Sequence, residues 1–329
     1  MLYEMSQEDL AVHRQLLVGM DPPHHTRYRL LVNRAFTPRA IREMHDGIAR
    51  LAAEIVAAAA AKGRCDLVRD VAAQLPVAVI SGVLGIPPAD RARVVELVSA
   101  MMQLPQLGAE PTSFNDAMAG VCAYGRGLFE ERRSRPKDDI ASRLVNAEID
   151  GDRLTDDELE HFLVILVTAA TDTTAHGITN GALALFEFPG EWRRLCGNPA
   201  LIDDAVEEML RWGTPTMYFR RTATANTQLG STAIRQGDKV VMCYVAANRD
   251  GEVFQDPDTF VIDRRPNPHL SFGAAGPHIC LGAALARAEI AAVTRELVVN
   301  YPDVRLDGTV ERLQSTMLNG LISLPVAFG

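Results

Sequence analysis

Phe272 to Gly282 reads FGAAGPHICLG, a glycine-rich segment with one cysteine that runs straight into LGAALARAEIAAVTRELVVNY. The apolar residues of that second string recur at helical spacing, and its Ala, Leu, Arg and Glu content suits a helix. Cys280 is thereby placed at a helix N-terminus, where unpaired backbone N–H groups and the positive end of the helix dipole favour a thiolate over a thiol. Gly273, Gly276 and Gly282 remove side chains on either side of it, so that something flat and bulky can approach the backbone closely. That is a setting in which a protein holds iron by sulfur. Taken alone, the stretch fits equally well a small buried thiol at a tight turn.

Three other groupings carry residues with chemical potential. In LEHFLVILVTAATDTTAHGITNGALALFEF, apolar nearly all round and so read as a central buried helix, stand Asp172, Thr173 and Thr174. A carboxylate and hydroxyls inside such a helix are costly unless paired or used. Threonines can bond back to the carbonyl one turn earlier, and an arginine elsewhere can pair Asp172, so burial alone leaves the choice open. In DPPHHTRYRLLVNRAFTPRAI, Asp21-Pro22-Pro23 starts a short basic helix and Thr37-Pro38 breaks it. His25 and Arg29 lie one turn apart on it and face the same way, two donors that suit a carboxylate or, read alone, a solvated basic face. In LIDDAVEEMLRW, Glu208 and Arg211 stand at i and i+3, by themselves an ordinary surface ion pair.

The elements that must position these residues follow from pattern and punctuation. Arg39 to Lys62 reads as a helix ending at Gly63, and at least three more fall between Asp66 and Arg135, punctuated by Gly85-Ile86-Pro87-Pro88 and Leu104-Pro105. Thr155-x-x-Glu158 is a capping box opening the central helix. Thr214 to Met242 alternates turns with β-prone runs, including a hairpin around Gly230 and Gly237. Tyr301 onward reads as short strands, with Asn319-Gly320 as a turn. A length of 329 residues and 47% hydrophobic content allow a substantial core, and a formal charge of −9 argues against general nucleic-acid binding. No apolar run reads as long and charge-free enough to span a bilayer, and Met1 to Met20 lacks the pattern of a signal peptide, so the expectation is a cytoplasmic protein with no membrane anchor. Five widely spaced cysteines without a Cys-x-x-Cys pair make disulfides and a zinc site poor readings.

FGAAGPHICLGAALAR resembles the cysteine-ligand loop of the haem-thiolate monooxygenases, the cytochrome P-450 superfamily, whose usual pattern is Phe-x-x-Gly-x-His/Arg-x-Cys-x-Gly. Here Phe272 and Gly276 are one residue further apart, a longer loop found in a subgroup of bacterial members. The resemblance implies that Cys280 is the proximal thiolate, with Phe272, Gly276 and Gly282 shaping its loop. The 21–36 segment resembles the family helix whose His and Arg bind a haem propionate, which assigns His25 and Arg29; Arg221 and His278 match two further propionate ligands. The family's central helix carries Ala/Gly-Gly-x-Asp/Glu-Thr, matched by Ala169, Ala170, Thr171, Asp172 and Thr173, with Ala170 where glycine is usual. Asp172 and Thr173 are thereby implied as the catalytic proton relay. Glu208 and Arg211 match the structural Glu-x-x-Arg lock, with Arg264 as the later arginine, Val261 where relatives commonly have Asp, and Arg265 as a competing charge.

The resemblance covers residues 21–329 and implies a single domain over 1–329 of the P-450 fold, mainly α with small β-sheets (α+β) and a long central helix over haem. Relatives carry several dozen more residues ahead of this point, so the first helices and two sheet strands are expected to be missing, with 1–20 an atypical short N-terminus. Pro87 to Glu130 is expected to form a mobile lid over the substrate. The implied activity is hydroxylation of a hydrophobic small molecule with O2. The implied cofactor is haem b (iron protoporphyrin IX), and electrons come from NAD(P)H through a ferredoxin reductase and a ferredoxin. PTMYFRRTA, GDKVVM, ANRD and PNPHLSFG look like bacterial members acting on sterols, terpenoids or branched lipids. The ferredoxin is expected to dock on the cysteine side near Arg27, Arg34 and Arg287, on a monomer. A peroxide-driven haem-thiolate enzyme and a non-catalytic haem-binding remnant are the alternatives.

Overall fold

The computed structural model describes residues 7–33, 38–94, 96–97, 111–273 and 276–329. Arg34 and the middle of the expected lid, 98–110, lie outside the described residues. The expectation of a mainly helical protein with small sheets holds.

The organising element is the central helix, Asp156–Glu187, capped as expected. Thr155 Oγ1 accepts from Glu158 N at 3.2 Å and Glu158 Oε2 accepts from Thr155 N at 2.8 Å. By length and composition this helix could cross a membrane, which corrects the expectation that no such run exists. Most of its apolar residues are buried against other helices, which accounts for a composition apolar on nearly every side. Helices Gln74–Leu84, Pro111–Ser134, Ile202–Gly213 and Ala283–Asn300 pack directly on it, and Pro38–Ala60 packs across Ala283–Asn300.

The short basic helix, His24–Asn33, is fastened to the cap of the central helix. Arg27 Nη1 donates to Glu158 Oε1 at 2.6 Å, its Nη2 donates to Asp152 Oδ1 at 2.8 Å, and the Tyr28 hydroxyl donates to the Glu158 carbonyl. The buried stripe His25, Tyr28, Leu31, Val32 recurs at three and four residues, so the helix turns one face inward and is not a solvated basic element.

The strands are short and antiparallel. Arg64–Asp66, Pro325–Ala327 and Arg305–Leu306 form one three-stranded sheet in that order. Tyr218–Thr222 pairs with Lys239–Cys243, and Thr227–Leu229 with Thr232–Ile234 as the expected hairpin, with Gly230 at φ +58. Asn319-Gly320 is not a tight turn: Asn319 N donates to the Pro215 carbonyl at 2.8 Å and Gly320 lies flat against the ring of His176 on the central helix.

Candidate functional site

Cys280 stands two residues before Gly282, the N-cap of helix Ala283–Asn300. Its thiol is open to solvent and yet recessed among protein atoms, as a side chain on the floor of a slot would be. Burial pushes the thiol pKa up, and the Gly282 N–H, Arg29 and Arg287 only partly oppose it. This corrects the expectation from the helix N-terminus. The dipole and the amide act in the expected direction, but the desolvation of a charged sulfur outweighs them.

The loop before Cys280 is closed on itself and tied to the core. The Phe272 carbonyl accepts from Cys280 N at 3.0 Å, and the Leu270 carbonyl accepts from Gly273 N at 2.8 Å. Gly273 has φ +84, a conformation that side chains other than glycine rarely adopt, so its glycine is needed for the turn and not only for clearance. Gly276 accepts from Ile279 N at 3.2 Å through its carbonyl. Behind the loop, Asn248 is fully buried. Its amide donates to Ser271 Oγ at 3.0 Å and Thr214 Oγ1 at 2.9 Å, and its carbonyl oxygen accepts from Leu270 N at 2.7 Å.

Four basic groups converge beside this loop. The rings of His25 and His278 lie 4.1 Å apart between centroids. Arg29 Nη2 donates to the Ile279 carbonyl at 2.7 Å, and both histidines feel the charges of Arg29 and Arg221. Burial lowers the pKa of both histidines and the two arginines add to the effect, leaving His278 at about 4, while Asp21 opposes them. His25 is 1% exposed, and neither of its ring nitrogens has a hydrogen-bond partner among the described residues. Two arginines and two histidines converging here, with the buried His25 nitrogens unpartnered among the described residues, suit an anion. The two carboxylates of haem and its flat macrocycle fit this cluster and the glycine-cleared loop, so the residues present suit that cofactor.

On the central helix, Ala169 is exposed and Ala170, Asp172 and Thr173 are half-buried in a stretch otherwise closed by packing. The Thr173 hydroxyl donates back to the Ala169 carbonyl at 2.7 Å, and Thr171 does the same to Val167 at 3.1 Å. Burial pushes the Asp172 carboxyl above its ordinary pKa, only partly offset by the Thr171 hydroxyl. No arginine pairs with Asp172 among the described residues. One turn on, His176 is buried with an unpartnered Nδ1 and a pKa lowered by burial to about 4.

Glu208 and Arg211 are both fully buried, so the pair is a core element and not a surface one. Arg211 grips Glu208 with two bonds of 2.7 and 2.8 Å and donates to the carbonyls of Asn248, Pro257 and Thr259. Arg264 Nε lies 3.2 Å from both Glu208 oxygens. The Val261 N–H bonds Glu208 at 2.9 Å, so the backbone supplies a contact where an acidic side chain was expected. Arg265 does not compete: it pairs with Asp204 at 2.5 Å. Thr214 ends this helix at φ +37, held there by its own hydroxyl to the Arg211 carbonyl and by Asn248.

Reading the sequence alone missed Asn248, Glu207 and His269. Glu207 is adjacent to Glu208, and its carboxylate takes Arg287 in two bonds of 2.6 and 2.8 Å. Together with the engagement of Arg27 at the central-helix cap, this neutralises two of the three arginines expected to attract a ferredoxin.

Comparison with known proteins gives a consistent pattern. The family model described as Cytochrome P450 matches residues 198–325. The chain is 39% identical over 318 residues to the steroid C26-monooxygenase of Mycobacterium tuberculosis, covering 97% of this chain and 73% of that protein. It is 38% identical to the methyl-branched lipid omega-hydroxylase of the same organism, covering 97% and 76%. Among solved structures, a Mycobacterium marinum cytochrome P450 in complex with pseudoionone superposes with a TM-score of 0.92 at 40% identity, covering 99% of this chain and 80% of that one. A Bacillus megaterium enzyme in complex with testosterone gives 0.89 at 34% identity, covering 95% and 86%.

Proposed function

Because the chain belongs to the cytochrome P450 family of monooxygenases, we propose that it hydroxylates an unactivated C–H bond of a sterol-like or methyl-branched lipid substrate, with Cys280 as the sulfur ligand of haem b. When bound, haem supplies the redox-active iron at which dioxygen is activated, and thiolate ligation favours O–O cleavage.

The observation that carries this reading is the pairing of an accessible, recessed Cys280 with an unsatisfied cationic cluster beside it. His25, Arg29, Arg221 and His278 would hold the two propionates, and the anions would supply the partners that the His25 nitrogens lack. Since burial alone disfavours the thiolate, ligation to a cation must offset that cost, so the site is built to be charged only when loaded. Asp172, whose proton affinity is raised by burial, would pass a proton through Thr173 Oγ1, which is already a donor to the Ala169 carbonyl. Phe272, Gly276 and Gly282 would shape the loop, and Ala169 and Ala170 would line the opening of the central helix. The Glu208–Arg211–Arg264 lock would hold the loop's support through Asn248. The substrate class is drawn from the steroid and lipid activities of the relatives. Electrons would come from NAD(P)H through a ferredoxin reductase and a ferredoxin in the cytoplasm, with residues 1–329 acting as one catalytic domain.

Turnover of a steroid and of a methyl-branched fatty acid with a surrogate ferredoxin, its reductase and NADPH tests this. Hydroxylated product is expected from at least one, falling about 10²-fold in Asp172→Asn and in Thr173→Ala with haem content unchanged. Haem-loaded protein that yields no product from either would favour the non-catalytic remnant, and product sustained by peroxide alone and unaffected by both substitutions would favour the peroxygenase.

A further inference from the structure

Four side chains outside the proposed ligand set close a circuit around Phe272. Arg287, on the helix that follows Cys280, places its guanidinium 4.4 Å from the centre of the Phe272 ring. The same guanidinium presents its fork to Glu207 on helix Ile202–Gly213, at 2.6 and 2.8 Å. Glu207 Oε2 accepts from His269 Nε2 at 3.0 Å, and His269 Nδ1 accepts from Ser271 N at 3.3 Å, which fixes the tautomer. The Ser271 hydroxyl donates to the Leu210 carbonyl at 2.7 Å. The circuit therefore runs from the residue just before Phe272, through His269 and then the Glu207 side chain of helix Ile202–Gly213, to the helix after Cys280, and back onto the Phe272 ring.

We infer that Glu207, Arg287 and His269 form a clamp that positions the Phe272 segment and, through the Phe272 carbonyl bonded to Cys280 N at 3.0 Å, holds the sulfur for ligation. The inference rests on the reading of Cys280 as the haem ligand. It explains why Arg287 is not available as a free surface cation, and why a buried histidine and a partly exposed acid adjoin the Glu208 lock without belonging to it. These three are positioning residues, because none of them touches the reacting atoms. Geometry requires the guanidinium in particular: its planar fork satisfies Glu207 while its face stacks on the ring, and an ammonium cannot do both.

The clamp and a purely electrostatic role predict opposite signs. Arg287→Met removes a positive charge near the sulfur, whereas Glu207→Gln leaves that charge unneutralised, so charge alone would shift the thiolate's stability in opposite directions. A clamp is loosened by either change. The test uses haem-loaded protein, reduced under carbon monoxide, and follows the rate at which the thiolate-type Soret band gives way to the thiol type. Arg287→Met and Glu207→Gln should both accelerate the conversion, by about two- to fivefold, the equivalent of one cation–π contact of this kind. Arg287→Lys, which keeps the charge but loses the fork, should accelerate it as well. If Arg287→Met fails to fold, Phe272→Leu, which leaves the ion pair intact and removes the stacked ring, must give the same acceleration. Opposite shifts in Arg287→Met and Glu207→Gln, or unchanged rates in all of these variants, overturn the clamp. A wild-type protein that binds haem but never gives the thiolate-type band refutes the assignment of Cys280 itself, an outcome distinct from either.

Discussion

The surroundings of Cys280 and the middle of the central helix are built in opposite ways. Behind the Cys280 loop, on the side away from His25, the network is closely answered: Glu208 receives Arg211, Arg264, the Val261 amide and Asn267, and Asn248 binds on three sides. At 169–176 the polar groups are left loose. Among the described residues Asp172 has no cation and the Nδ1 of His176 no partner, while Thr171 and Thr173 turn back on their own helix. The first region fixes one geometry through coupled ion pairs, while the second holds a carboxyl without a countercharge beside hydroxyls bonded only within their own helix. A residue that must exchange protons with small ligands cannot also be saturated by the protein, so the second region carries an energetic cost that the first does not.

That contrast can be broken from either end. Glu208→Ala should have the largest effect, a loss of about 3–5 kcal/mol in chemical denaturation, because Arg211 and Arg264 are then left in the core without their carboxylate. Near-normal stability in that variant would erase the distinction between the regions. Next comes Gly320→Ala, whose methyl would overlap the His176 ring. It should cost about 1–3 kcal/mol, and most of that cost should disappear in a His176→Ala background, since the two sites are in contact. Additive losses would mean that His176 is not what fills the space.

The smallest effect has the opposite sign. Asp172→Asn should stabilise the fold by about 0.5–1 kcal/mol near neutral pH while it impairs turnover. Burial raises the folded-state pKa of Asp172 above its unfolded value, so the folded state binds the proton more tightly. As pH falls from about 7 toward the ordinary carboxylate range, Asp172 therefore adds stability, against the loss from His25, His176 and His278, whose lowered pKa values disfavour their protonation in the folded state. The Asp172 contribution is the part of the pH dependence that differs between the wild type and Asp172→Asn. Glu289, wholly buried and raised in the same direction as Asp172, acts alike in both proteins, as do the histidines, and so cancels from that difference. Acids held at about 2, such as Glu207 and Asp70, lose their stabilising effect only below the ordinary carboxylate range and do not disturb this window. Denaturant midpoints at the two ends of that range measure the difference; an identical pH slope in the variant would show that Asp172 ionises like a surface acid.

Much of this arrangement is legible in the residues. The glycine-flanked cysteine ahead of a helix, the one-turn spacing of His25 and Arg29, and the capping box of the central helix are local patterns, and local patterns survive folding. The direction of the Cys280 shift is not legible, because it depends on how many atoms from other segments crowd the sulfur. The same holds for Glu207, which sequence cannot separate from Glu208: one turns to Arg211 and the other to Arg287, 80 positions away. Asn248 looks like a loop residue in ANRD and becomes the buried hub of the Cys280 loop only through its partners at 214, 270 and 271. Long side chains that could have made a docking surface, Arg27 and Arg287, are claimed by acids more than 79 residues distant, which no periodicity reports.

The central claim is that Cys280 holds haem iron as a thiolate. The carbon monoxide difference spectrum of the reduced, haem-loaded protein tests it most directly, compared with Cys280→Ala prepared in the same way. The expected result is the thiolate-type Soret shift in the wild type and its complete loss in the variant. A wild type lacking that shift, or a variant that retains it, would contradict the account.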